Sequence, residues 1–586
     1  MSVLQALNTA YDRLADRGEV PPFGYTKEKI GFLIPLNENG SPAGPPIDLR
    51  HGTGKKLTAP LMAVPQSAKR TSGTAPNFLW DKTSYVLGVS AGEGRRTVEE
   101  HAAFVARHVE KLAGSDDPGL RALLRFIETW TPEQFTALGW PEEMKDQNVV
   151  FALESERRSN VRIHDRLASR ALWAALTSAG AGDEAICLVS GERGPIARLH
   201  PAIKGVWGAQ SSGASLVSFN LDAFTSYGHE QGDNAPVSEA AAFAYTTVLN
   251  RFLERDSRHR IQIGDASTVF WADASDAVAV ADSEALFGAL LGNMPVDATM
   301  QAAKVRSVLE KMRAGRPMAD SAPDIAKGVR FFVLGLSPNA ARLSVRFWLE
   351  DDFGVIAERF ARHLELMRLD PPPKDDNPSI WRCLIETAAQ RKSENIPPNL
   401  AGEWLRAILT GGAYPLTLLA MVLMRLRADK DVNALRVAIL KSVLVSRGKE
   451  VPMSLDPENK DPGYLLGRLF ATYEHVQTAA LGRSLNSTIR DKFYGAASAT
   501  PRRVFTLLDK GSTNHLSKLA KDKKGYAVVL ERQIAGIMEQ FDPSADPFPA
   551  FLTSDQQSLF AVGYYHQKYD RKDASAAETP SEETHA

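Results

Sequence analysis

Gly88-Val89-Ser90-Ala91-Gly92 has the residue types and spacing of a nucleophile elbow, the strand-to-helix turn that projects a serine hydroxyl and aims backbone N–H groups at an oxyanion. An extended-looking YVLG precedes it, and His51-Gly52-Thr53-Gly54 upstream faintly resembles an oxyanion-hole loop. In an elbow the helix begins directly after the serine. Here Glu93-Gly94-Arg95-Arg96 intervene, and the next helix signal is a capping box formed by Thr97 and Glu100. A plain glycine-rich turn is therefore the stronger reading, and a serine hydrolase using Ser90 is the alternative. Gly52-Thr53-Gly54-Lys55-Lys56 is similar to a phosphate loop without its spacing: no glycine stands five residues before Gly54, and Lys56 occupies the Ser/Thr position that would hold magnesium. No H-E-x-x-H is present. His164-Asp165 is a lone dyad among 12 scattered histidines and reads as a surface pair. His101 and His108, two turns apart on one helix, read as packing. No metal and no cofactor is expected.

Other chemistry resides in cations. Arg50 to Trp80 holds five basic residues, Arg50, Lys55, Lys56, Lys69 and Arg70, and no acid. Lys69, Arg70, Thr71, Ser72 and Asn77 offer cations for phosphates and hydroxyls or an amide for base edges, and Gly73 permits close backbone approach. A solvated basic loop explains the same composition equally well. From Arg483 to Arg532, eleven Lys and Arg face four Asp and Glu, a local +7. Arg490, Lys492, Arg502, Arg503, Lys518, Lys521, Lys523 and Lys524 belong to this segment. On helices they form either a stripe that tracks a nucleic-acid backbone or an ordinary charged exterior. Between the two lies a block rich in Gly, Ser, Asn and Gln. Its Lys204, Gln210, Ser211, Ser212 and Asn220 are candidates for nucleic-acid or partner contact, or for simple turn roles.

The elements that must position these groups follow from pattern. IGFLIPL, FLWDKTSYVLG, AICLVS, SLVSFN and STVFWA read as strands, and RFFVLGL with RLSVRFWLE as a hairpin around Ser337-Pro338-Asn339-Ala340. Helices are expected from Thr97 and over Ala240 to Leu253. After Pro371–Pro378 the pattern is helix after helix, and none of the nine tryptophans lies beyond Trp404. Leu416 to Met424 is about half the roughly 20 residues of a membrane span and reads as a buried helix. The fold class expected is α+β: a mixed α/β N-terminal and middle region followed by an all-α bundle. The segments are 1–115, 116–370, 379–450, 453–572 and a tail, 573–586, that is acidic and expected to be disordered. A 44% hydrophobic, 24% charged composition excludes a largely disordered chain, and two cysteines exclude a disulfide framework and fit a reducing cytoplasm. A formal net charge of −1 argues against a generally basic coat protein.

Four strings share one resemblance. VPQSAKRTSGTAPNFLWDKTSYVLG, LHPAIKGVWGAQSSGASLVSFNLDAFTSYGHEQGDNAPVSEAAAFAY, FFVLGLSPNAARLSVRFW and SLNSTIRDKFYGAASATPRRVF resemble, in the same order, blocks of the large subunit of the type I-C CRISPR Cascade surveillance complex. The resemblance covers nearly the whole chain. It implies a non-catalytic subunit that joins a guide RNA, repeated backbone subunits and a five-prime-capping subunit. Such a subunit recognises the protospacer-adjacent motif in duplex DNA, helps open the duplex, holds the displaced strand and offers a landing surface to a helicase–nuclease. Base pairing then reads the target while protein reads the flanking motif and backbone. Carried to these positions, Lys55, Lys56, Lys69, Arg70 and Lys82 become phosphate or duplex contacts, with Thr71, Ser72 and Asn77 nearest the bases. The C-terminal cations become contacts to the displaced strand. The resemblance also implies a separate small subunit translated from within the gene. Met453, after the break at Val451-Pro452, is the start expected for it, giving a product of 134 residues.

Overall fold

Phe32-Leu33-Ile34-Pro35-Leu36 has no polar face, and such a strand must be covered on both sides. In the computed structural model this run is β2 (Phe32–Leu36), following β1 (Tyr25–Lys29), and all five residues are buried. The structure describes every residue except 53–56, 68–73, 93, 95, 179–183, 220, 292–299, 314–315, 326, 374–377, 483–485 and 571–586. Two compact units emerge: Met1–Ile203 with Ser215–Arg251, and Lys204–Ala214 with Phe252–Ala586. The breaks read from the sequence at Pro371–Pro378 and after Arg447 both fall inside the second unit.

In the first unit β3 (Ile47–Asp48), β4 (Leu61–Pro65), β5 (Asp81–Lys82) and β6 (Asn148–Leu153) complete two sheets. One has the order β3-β2-β6-β5, with β2 and β6 parallel from Phe32 opposite Val149 to Leu36 opposite Leu153. The other is the antiparallel pair β1-β4. A parallel pair needs a long crossover. It runs through the helices Thr97–Leu112 and Pro118–Thr129, whose Phe104, Leu120, Leu123 and Phe126 share a core with Phe32, Ile34, Val149 and Phe151. The opposite face buries Leu33, Val150 and Ala152 with Val64 and Trp80. Beyond it, β7 (Glu184–Ile186) and β8 (Arg193–Pro195) form a short hairpin before the helix Glu239–Phe252.

The second unit has an antiparallel sheet of order β12-β11-β10-β9, from β9 (Arg260–Ile263), β10 (Ala266–Asp273), β11 (Arg330–Asn339) and β12 (Arg342–Asp352). The expected hairpin is β11–β12. Its register shifts at Gly335, where a Cβ would stand 2.4 Å from the Phe347 ring. From Ile380 onward the described residues form helices and no strands, so the architecture is α+β as expected. One hydrophobic core runs from the sheet through Trp404, Leu440 and Leu466 to Phe560. Within it the helices Pro462–Leu481 and Ser554–Lys568 approach backbone to backbone. A Cβ at Gly463, Gly467 or Gly563 would lie 2.2, 2.1 or 2.2 Å from a carbonyl oxygen of the facing helix.

Several local expectations need correction. Thr97 is not a cap: the N-cap is Arg96, outside extended geometry, and no side chain caps the helix. FLWDKTSYVLG is not one strand, because Leu79 adopts φ +65° and only Asp81–Lys82 pair before a helix at Thr83–Val86. Among the described residues of SLVSFN there is no strand. His164 is fully buried rather than a surface partner, its carbonyl accepting the Tyr25 hydroxyl at 2.7 Å. The Leu416–Asp429 helix buries Leu418, Leu419, Val422, Leu423 and Leu426, while Leu416 and Met424 are exposed. Among the described residues no helix is long and apolar enough to cross a membrane.

Candidate nucleic-acid interface

Of the N-terminal candidates, Lys55, Lys56, Lys69, Arg70, Thr71 and Ser72 lie outside the described residues; Asn77 and Lys82 do not. What surrounds them is a set of anchors. The Trp80 indole N–H donates to the Pro65 carbonyl at 2.7 Å, closing the base of the segment between Pro65 and Trp80. The buried Asp81 carboxylate accepts the backbone N–H groups of Asn77 and Lys82, each at 2.8 Å. His108 Nε2 accepts the Leu79 N–H at 2.9 Å, while Nδ1 faces the Phe104 carbonyl at 2.8 Å, so Nδ1 carries the proton of a neutral ring. Burial accordingly lowers the His108 pKa to about 3. Leu79, a branched residue in left-handed backbone, is held there by that ring. Arg107 donates to the Pro76 carbonyl and stands over the Phe78 and Trp173 rings at 5.8 and 5.9 Å.

These anchors also move one candidate. Asn77 is only 4% exposed, so the base-edge contact expected of its side chain is inaccessible in this conformation, whereas Lys82 is exposed. The basic count also falls by one, because Arg50 is bound by Asp48 at 2.8 Å and lies over Phe32.

The Ser90 hydroxyl donates to Asp146 Oδ1 at 3.0 Å, and the Ala91 N–H reaches the same carboxylate. Among the described residues no imidazole hydrogen-bonds Ser90, and the following long helix begins at Thr97, so the serine has neither the base nor the helix start of an elbow. No cluster of three or more metal-ligating side chains occurs among the described residues.

In the central block Lys204, Gln210, Ser211 and Ser212 are all exposed, while Asn220 lies outside the described residues. Their loop is fixed to the second unit's sheet: the Trp207 N–H donates to Ser267 Oγ at 2.9 Å, and Gly205 faces the Leu253 carbonyl where a Cβ would be 2.6 Å away. The Trp207 ring itself is 66% exposed.

The C-terminal cations separate into two kinds. Arg502 is bound to Asp546 at 2.7 Å, and Arg490 is partly buried beside Asp491. Lys492, Arg503, Lys510, Lys518, Lys521, Lys523 and Lys524 are exposed and make no ion pair among the described residues. Three of these share one side of the helix Phe505–Asp522. At 100° per residue, Thr506, Lys510, Thr513, Asn514, Ser517, Lys518 and Lys521 fall within about 140°, all exposed, with the exposed Leu507 among them and no acid interrupting. Phe505, Leu508, Ser512 and Leu519 are buried on the other side, and Asp509 faces the Tyr473 hydroxyl at 2.8 Å. Lys510 and Lys521 are about 16 Å apart along the axis. Sequence reasoning found the lysines; the acid-free face follows once the helix register is known.

Fold and surface thus describe an α+β protein with unpaired cations grouped on one helix and a basic segment braced at its base. Residues 7–572 match the family model of the CRISPR-associated protein Csd1 (Cas_Csd1). The chain belongs to that family, and it is a CRISPR-associated Cascade subunit. No curated protein matches it.

Proposed function

We propose that this chain is the non-catalytic large subunit of a type I-C Cascade ribonucleoprotein in the cytoplasm. It reads the protospacer-adjacent motif in duplex DNA, promotes unwinding and R-loop formation, holds the displaced strand and helps recruit the helicase–nuclease. Its partners are the guide RNA, the repeated backbone subunits, the five-prime-capping subunit and a small subunit from the same gene that begins at Met453. The observation that carries the reading is the acid-free lysine face of the Phe505–Asp522 helix, a surface suited to a phosphate backbone without sequence preference. The braced basic segment between Pro65 and Trp80 supports a second contact, at the motif, made by Lys69, Arg70, Thr71 and Ser72 with Lys82 beside them. The Asn77 backbone N–H, held by Asp81, then helps anchor that segment.

The test uses complex assembled with Lys69→Gln/Arg70→Gln and, separately, Asn77→Ala chains. The double variant is expected to weaken matched-duplex binding and to reduce the salt slope by about one to two. Asn77→Ala, which keeps the backbone N–H on Asp81 and changes only a buried side chain, is expected to leave discrimination between correct and scrambled motifs intact. Wild-type affinity and salt slope in the double variant would remove the motif contact from the proposal.

A further inference from the structure

Ile186 closes the β7 strand and Leu188 lies in the turn that follows it, closed by the Gly191 N–H on the Cys187 carbonyl at 2.9 Å; both side chains are exposed, 66% and 69%. Between and after them, Cys187 and Val189 are buried. Three further large apolar side chains stand out from the same module, Leu199 at 69%, Leu221 at 56% and Tyr227 at 100% exposure. Backbone hydrogen bonds tie the module together. The Leu188 N–H donates to the Pro236 carbonyl at 2.9 Å, Ala197 to Val237 at 2.9 Å, and Gly232 to Arg198 at 3.1 Å.

Tyr227 is the most telling of the five. It occupies a two-residue turn closed by the His229 N–H on the Ser226 carbonyl at 2.9 Å, with φ +51° at Tyr227 and +80° at Gly228. Glycine, asparagine and aspartate are the usual residues at such a position. The turn is braced by His229 Nδ1 against Asp233 at 2.6 Å and by the Asn234 amide on the His229 and Gln231 carbonyls. A strained backbone thus presents a ring that is fully exposed among the described residues.

The charge around these side chains decides the kind of partner. Glu192, Asp222 and Glu230 are exposed and form no ion pair among the described residues, Asp233 is engaged by His229 and Arg193 by Glu184, and Arg198 is an exposed cation beside Leu199, so the free acids outnumber it. Such a border repels phosphates and complements lysine and arginine. We propose that this module is a docking surface for a protein partner, a subunit bearing an apolar patch ringed by basic side chains, with Tyr227 as its anchor. The proposal rests on membership of a multisubunit assembly and stands apart from the DNA contacts proposed above.

The experiment co-expresses the chain with its complex and measures its retention on size-exclusion chromatography, with melting of the isolated chain as the folding control. Tyr227→Asn keeps a residue suited to the turn and removes the ring; Glu230→Lys with Asp222→Lys reverses the border. Tyr227→Asn is expected to lower retention roughly ten-fold or more at an unchanged melting temperature, and the charge reversal to weaken it most at low salt. Tyr227→Phe is expected to restore retention. Full retention in both Tyr227→Asn and the charge reversal would overturn the proposal. So would full retention accompanied by loss of target binding, which would make this a nucleic-acid surface instead.

Discussion

Lys510, Lys518 and Lys521 offer a quantitative test of the helix face. All three are exposed, none is ion-paired among the described residues, and none packs into the core beneath them, so Lys→Gln at the three removes charge with little effect on folding. If each lysine neutralises one phosphate of a single strand, each contributes about 0.7 to the slope of log K against log salt concentration. The triple variant then loses about 2 from that slope, which corresponds at 0.15 M salt to a roughly 50-fold weaker association. The assay is fluorescence anisotropy of the assembled complex with a labelled DNA strand of the displaced-strand sequence, between 50 and 300 mM salt. Lys392 and Lys460, exposed outside this face and without an ion pair among the described residues, serve as Lys→Gln controls. The difference should shrink as salt rises, because the released counterions carry the effect. An unchanged slope, or an equal change in the controls, would refute the backbone-tracking role.

Other outcomes follow from the same structure. His108, His164, His363 and His566 are buried, and burial lowers their pKa values to about 3, 4, 4 and 4. Each folded value lies below the unfolded value near 6.5, so the unfolded chain binds more protons and stability falls as pH drops from about 6.5 toward 4. Urea midpoints should be flat above pH 7 and decline below 6, with a shallower decline in His108→Gln; a flat midpoint down to pH 5 contradicts the burial argument. Gly467→Ala drives a methyl against the Phe560 carbonyl and should cost about 1–3 kcal/mol, read as a lower melting temperature. Met453→Leu should abolish a short product on a gel, and a persistent band excludes that start.

What was legible in the sequence was local. The apolar run Phe32–Leu36, the β11–β12 hairpin and the helices beginning near Thr97 and Ala240 are fixed by periodicity and turn chemistry within a few residues. What was not legible depends on partners far along the chain. Asn77 reads as a loop amide because nothing nearby in sequence reveals that Trp80 reaches back to Pro65 or that His108 fixes Leu79. Thr97 has the right neighbour at Glu100, but Thr97 is already the first residue inside the helix; the capping position belongs to Arg96, whose backbone is not extended and whose side chain caps nothing. The exposed lysines were visible as a count; their separation from Asp509, which is turned toward Tyr473, required the helix register.

That separation also explains how a chain of formal net charge −1 can carry a nucleic-acid surface. Electrostatic attraction is screened within about 8–10 Å at ordinary salt, so a phosphate responds to the charges on the face it touches and hardly to the molecular total. On the Phe505–Asp522 helix the nearby acids are turned aside or placed at the end, leaving three lysines along about 16 Å with hydroxyls and an amide between them. Arg50 shows the opposite arrangement: Asp48, two residues away, grips its guanidinium, and the cation counts toward composition but little toward the local field. Arg502 is held in the same manner by Asp546. Replacing Asp546 with Asn should therefore release Arg502 and strengthen single-strand binding modestly, by no more than the contribution of one phosphate contact to the salt slope. A larger gain would mean that Asp546 itself opposes the strand and that the binding face extends beyond the one helix.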